Sequence, residues 1–158
     1  MTITWIVAAD ASRARVLQVA DREEKLVEVE DLVNPEGRMN DRELTSDAHP
    51  RFSGHGGLGK PGAATTSGPG SDRQEKSAVE HQVELFARRI GDHLEKARTD
   101  HRYDRLCLVA PPRFLGALRK ELSNEVRKLV AEELPKDLSW LGARDLERYF
   151  AERPELKT

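Results

Sequence analysis

At 158 residues, with 34% charged and 37% hydrophobic side chains, the chain is long enough to bury one core unaided and too apolar for complete disorder. Its 26 basic and 28 acidic residues give a formal net charge of −2, which excludes the overall field of a dedicated nucleic-acid binder; any anion site must be local. A single cysteine, Cys107, excludes an internal disulfide, and no run approaches the roughly 20 apolar residues of a membrane span. The N-terminus lacks the basic-then-apolar order of a signal peptide, so a cytoplasmic protein beginning near Met1 and without membrane insertion is expected.

Ile3 to Ala9 reads as a buried strand, followed by turn residues Asp10, Ala11 and Ser12 and a second strand over Ala14 to Ala20. The two are expected to pair as a hairpin. Leu26, Val27, Val29, Leu32 and Val33 interleave with Glu28, Glu30 and Asp31, a pattern for a half-exposed third strand stopped by Asn34 and Pro35. An antiparallel meander of three strands is the simplest arrangement.

Periodicity then fails over 34–70, apart from a short turn around Asp41 to Leu44. This span far exceeds the usual ~4–6-residue connection, and its glycine density leaves little side-chain area to anchor it, so a long flexible loop is expected. No aspartate or glutamate occurs between Asp47 and Asp72, whereas Arg51, Lys60, His49 and His55 do. Such a run can approach phosphate without like-charge repulsion, and its glycines let backbone N–H groups come close. A plain polar linker has the same composition. Gly54 to Lys60, GHGGLGK, matches the front of a P-loop, but Pro61 stands where a hydroxyl would hold magnesium, and no apolar strand precedes it.

Ser71 or Asp72 is placed to cap a long helix in which Val79, Val83, Phe86, Ile90, Leu94 and Ala97 form one apolar face. From Asp72 to Arg98 this helix would run about 40 Å and form the spine against which the sheet packs. His81 and His93 on it read as solvated, and no histidine or cysteine spacing supports a metal site. Tyr103 to Ala110 reads as a buried central strand, with Cys107 as a small core hydrophobe. Pro111 and Pro112 suit the first turn of a helix carrying Phe114, Leu115, Leu118 and Leu122. There, Arg113 joins free N–H groups as a candidate phosphate contact, against the plainer reading of a surface arginine. Val126 to Leu134 is ambiguous between helix and strand. Ser139 to Ala151 reads as a last helix, and 153–158 as a charged tail. Asp10, at the end of the first strand, reads as a turn aspartate, since no partner carboxylates are identifiable.

The segments WIVAADASRARVLQV, ELTSDAHPRFSGHGG, VELFARRIGDHLEKA, DRLCLVAPPRFLGALRKEL and LPKDL, spread over nearly the whole chain, resemble the bacterial family of proteins required for attachment to host cells. That family in turn is similar to the middle domain of archaeal and eukaryotic class-one peptide-chain release factors. The resemblance implies an α/β fold: a ribonuclease H-like mixed sheet packed with helices, one domain over 1–152 with the glycine loop inserted. It also implies that the C-terminal part of 126–134 is a strand. In release factors the loop ends in Gly-Gly-Gln and assists hydrolysis of peptidyl-tRNA. Here Gly56 and Gly57 match the glycines, but Leu58 stands at the glutamine position and offers no side-chain hydrogen bond. This departure weighs against hydrolysis and leaves RNA contact less affected, since phosphate needs only backbone amides and cations.

The residues expected to bind RNA or phosphate are therefore Arg51, His55, Gly56, Gly57, Leu58, Lys60 and Arg113, with ribosome or tRNA as partner and no cofactor, metal or catalytic residue. The oligomeric state stays open. A non-catalytic protein-interaction module, affecting attachment indirectly, is the alternative.

Overall fold

The computed structural model describes residues 1–20, 25–37 and 70–153, with 70–77 described for the backbone alone. The loop residues Arg51, His55, Gly56, Gly57, Leu58 and Lys60, the turn expected at Asp41 to Leu44, and nearly all of the 153–158 tail lie outside the described residues.

Strands β1 (Ile3–Ala9) and β2 (Arg13–Ala20) form the expected hairpin, paired from Ile3 with Ala20 to Ala9 with Ala14. Strand β3 (Val27–Val33) adds antiparallel to β2 and completes the meander. Helix α1 (Gly70–Thr99) begins slightly ahead of the expected caps and leads to β4 (Arg105–Val109), which lies parallel to β1. Helix α2 (Pro112–Glu121) has proline at its start, where the missing N–H costs nothing. The ambiguous segment divides into helix α3 (Asn124–Leu129) and strand β5 (Val130–Leu134), which pairs parallel with β4. Helix α4 (Ala143–Ala151) closes the described chain. The five-stranded order β3-β2-β1-β4-β5 is the ribonuclease H-like mixed sheet that the resemblance implied.

Both faces of the sheet are covered, which explains why β1 and β4 read as continuous apolar runs rather than alternating ones. On one face Trp5, Val7, Val16, Leu106 and Leu108 pack with Phe86, Ile90 and Leu94 of α1 and with Phe114 and Leu118 of α2. On the other, Ile6, Ala8, Leu17, Cys107 and Val109 pack with Leu138 and with Leu146 and Phe150 of α4. Gly91 lets α2 end close to α1: a Cβ there would lie 2.7 Å from the Glu121 carbonyl oxygen. Thirty residues give α1 a length of about 45 Å, while a strand of seven spans about 23 Å. Among the residues whose side chains are described, full burial along α1 begins at Phe86, and 78–85 are exposed or half-buried. Val83 packs against the core and Val79 is half-buried. Arg89 donates to the Val33 carbonyl at the end of β3, so the preceding turns extend past the carboxyl ends of the parallel strands.

Two expectations are corrected. The last helix starts at Ala143 rather than Ser139, because 139–142 form a turn in which Ser139 hydrogen-bonds to Asp10 and Asp137. His93 is half-buried rather than solvated: one position before Leu94, it flanks the buried stripe, with its ring centroid 6.4 Å from that of Trp5. Its Nε2 is 4.0 Å from Glu30 Oε1. His81 is exposed, as expected.

Candidate functional site at the carboxyl ends of the parallel strands

In open α/β sheets, ligands favour the crevice beyond the carboxyl ends of the strands, where loops and helix starts converge. Here β1, β4 and β5 end together in Ala9, Val109 and Leu134. They are followed respectively by the Asp10 turn, the start of α2 and the 135–142 turn.

Asp10 is the fastener of this rim. Its Oδ1 accepts hydrogen bonds from the Ser12 backbone N–H, the Ser12 hydroxyl and the Arg13 backbone N–H, each at 2.8 Å. Its Oδ2 accepts from the Ser139 hydroxyl at 2.6 Å, tying the β1–β2 hairpin to the turn after β5 across 129 positions of sequence. With both oxygens committed in this way, Asp10 is the turn aspartate that the sequence indicates. Among the described residues no group of three or more His, Cys, Asp or Glu is placed to hold a metal.

The long loop departs from the same rim. Asn34 donates from its backbone to the Ser12 carbonyl at 2.8 Å and from its side-chain amide to the Ala11 carbonyl at 3.0 Å. Gly37 sits so close to this turn that a Cβ would fall 2.4 Å from the Ala11 oxygen. The loop root is thus packed directly on the Asp10 turn.

Three cations stand around the rim without a carboxylate partner among the described residues. Arg113 is exposed in the first turn of α2, a helix with no acid in that turn and no side-chain cap. Lys136 follows β5, its ammonium 5.7 Å from the Tyr149 ring. Arg144 is exposed in the first turn of α4. Several other arginines are paired, Arg15 with Glu28, Arg88 with Glu121, Arg98 with Glu95, Arg102 with Glu30 and Arg119 with Glu133, whereas Arg89 and Arg127 donate to backbone carbonyls. Arg13, also near the rim, is held by Asp31 at 2.7 Å, and that hydrogen bond raises its pKa. A cleft of about 570 Å³ runs along β5 from Val130 to Glu133, bounded by Arg119, Leu122 and Arg127.

Burial pushes the Cys107 thiol up to about 12, with the charge of Glu132 adding to the effect and Arg105 opposing it. Of the expected contacts the structure thus places Arg113 at the rim, while those on the glycine loop fall outside the described residues. Sequence reasoning missed Ser139 and Trp140. The turn that displays them depends on Asp10, far away in the chain, and only Gly142 as a break in the apolar spacing signals it.

A stretch of 62 residues is 39% identical to an uncharacterised protein of Rickettsia prowazekii (strain Madrid E), covering 38% of this chain and 40% of that one. Among solved structures, the archaeal translation termination factor aRF1 superposes with a TM-score of 0.47 and 9% identity, over 97% of this chain and 39% of that one. The chain therefore spans about two fifths of the length of either protein. Among the described residues, no helix is long and apolar enough to cross a membrane. A sequence model of the family described as "Protein required for attachment to host cells" matches residues 5–150, and the chain belongs to that family.

Proposed function

We propose that this family member is a cytoplasmic, translation-associated factor that binds ribosomal RNA or a tRNA acceptor end through its glycine loop and the adjoining rim. Arg51, His55, Lys60 and the amides around Gly56, Gly57 and Leu58 would contact phosphate from the loop, and Arg113 from the start of α2. The observation that carries the reading is the charge arrangement. An acid-free run over 48–71 is rooted on a rim whose Arg113 and Arg144 are exposed and free of carboxylate partners among the described residues. Phosphate binding rewards that combination of cations, open amides and a helix start. Leu58 supplies no side-chain hydrogen bond for ester hydrolysis, so the reading is one of binding. Any effect on attachment would then be indirect.

The test is co-sedimentation with ribosomes over a salt series. Association at low salt that falls steeply as salt rises supports the reading, because bound phosphates shed counterions. Absence of association at the lowest salt would contradict it and favour the protein-interaction module.

A further inference from the structure

We propose that Trp140 is a stacking platform for an unpaired RNA base, an inference that rests on the RNA-binding reading above and adds a second kind of contact to it. Tryptophan is usually well buried, yet Trp140 is 73% exposed. Its neighbours Leu138 and Leu141 pack into the second core, so the turn is anchored without help from the indole.

The ring is exposed but not free. Its Nε1–H donates to the Asp137 carbonyl at 2.9 Å, while Ser139 is bound to Asp10 and the Arg15 guanidinium donates to the Leu141 carbonyl. The turn is therefore fixed on both sides of Trp140 to the hairpin against which the loop root packs. A tryptophan N–H that becomes buried on binding usually needs a hydrogen-bond partner. Here that donor is already satisfied inside the turn, which leaves the π faces as what the ring has to offer. Stacking on a base needs only a π face, tolerates any base, and loses little entropy on a ring already held in place. Lys136 and Arg144 flank it in the chain, each next to an aspartate, Asp137 and Asp145, with which it forms no ion pair among the described residues.

The experiment follows acrylamide quenching of tryptophan emission during titration with oligouridylate at low salt. Trp5 is fully buried, so the quencher reports Trp140. Oligouridylate should shield Trp140, whereas an abasic oligomer of equal length should bind through phosphate without shielding it. Trp140→Ala should bind oligouridylate on the order of 10-fold more weakly, and Trp140→Phe, which keeps a ring but loses the Asp137 bond, should retain most of the affinity. Equal loss in both variants would overturn the proposal by assigning the effect to the turn. Tight binding without shielding, and unchanged in Trp140→Ala, would overturn stacking while leaving RNA binding intact. No binding by the wild type would overturn both, and shielding seen only with RNase-treated bacterial extract would overturn the proposal in favour of a protein ligand.

Discussion

If Asp10 fastens the rim, its removal should cost far more than its conversion to the amide. Asp10→Ala deletes four hydrogen bonds, three to Oδ1 and one to Oδ2, and leaves the Ser12 and Arg13 amides without their acceptor. Bonds to a charged group contribute about 1.5–3 kcal/mol each, but the turn is half-buried and water replaces part of the loss, so about 2–4 kcal/mol in total is expected. Asp10→Asn keeps an oxygen for the three Oδ1 bonds. Its amide nitrogen can donate to Ser139, whose own proton turns to Asp137 Oδ1 at 2.9 Å. The expected cost is about 1 kcal/mol or less. The assay is urea unfolding, with the midpoint lowered and the slope unchanged. Asp10→Ala combined with Ser139→Ala should show a coupling of about 1–2 kcal/mol. Equal destabilisation by Asn and Ala, or strict additivity with Ser139→Ala, would refute the fastener.

Other consequences follow from the cores and ion pairs. Phe86→Ala removes a buried ring whose centroid lies 6.0 Å from that of Phe114 and should cost about 3–5 kcal/mol by the same unfolding assay; a loss below about 1 kcal/mol would place that face outside the core. Cys107 should resist alkylation in the native protein and react only on unfolding, so rapid labelling of the folded chain would contradict its burial. The Glu95 carboxyl is held at about 2, first by the hydrogen bond from Arg98 and then by that from Ser123. A depressed carboxyl stabilises the fold above its unfolded value of 4.5, and this contribution is lost as pH falls from there through about 2. Glu95→Gln should flatten the acid limb of stability between those values; an unchanged limb would show that the pairing contributes nothing.

Elements whose pattern reflects local burial were readable from the chain. The hairpin around Asp10, the α1 face from Val83 to Ala97 and the helix after Pro112 all combine an apolar period with a local stop or start signal. The ambiguity at 126–134 was real, since Val126 and Leu129 keep helical spacing up to the point where Val130 joins the sheet edge. Features set by distant partners were not readable. Ser139 begins no helix because Asp10 holds its hydroxyl, and His93 leaves solvent because Trp5 rises beneath it from β1. At the candidate site, the position of Arg113 in the first turn of α2 is legible from the two prolines before it, whereas the turn bearing Trp140 is hidden because its neighbours share helical spacing with α4.

The central claim is phosphate binding through the loop and rim, and the most direct measurement is the salt dependence of ribosome association for the wild type and for Arg51→Glu/Lys60→Glu. Three phosphate contacts would give a log–log slope of roughly −2.1 to −2.7, or about 20- to 40-fold weaker binding over a four-fold rise in salt. That slope is expected for the wild type, with loss of association in the double variant and its urea midpoint unchanged. Equal association of the two proteins at low salt would contradict it.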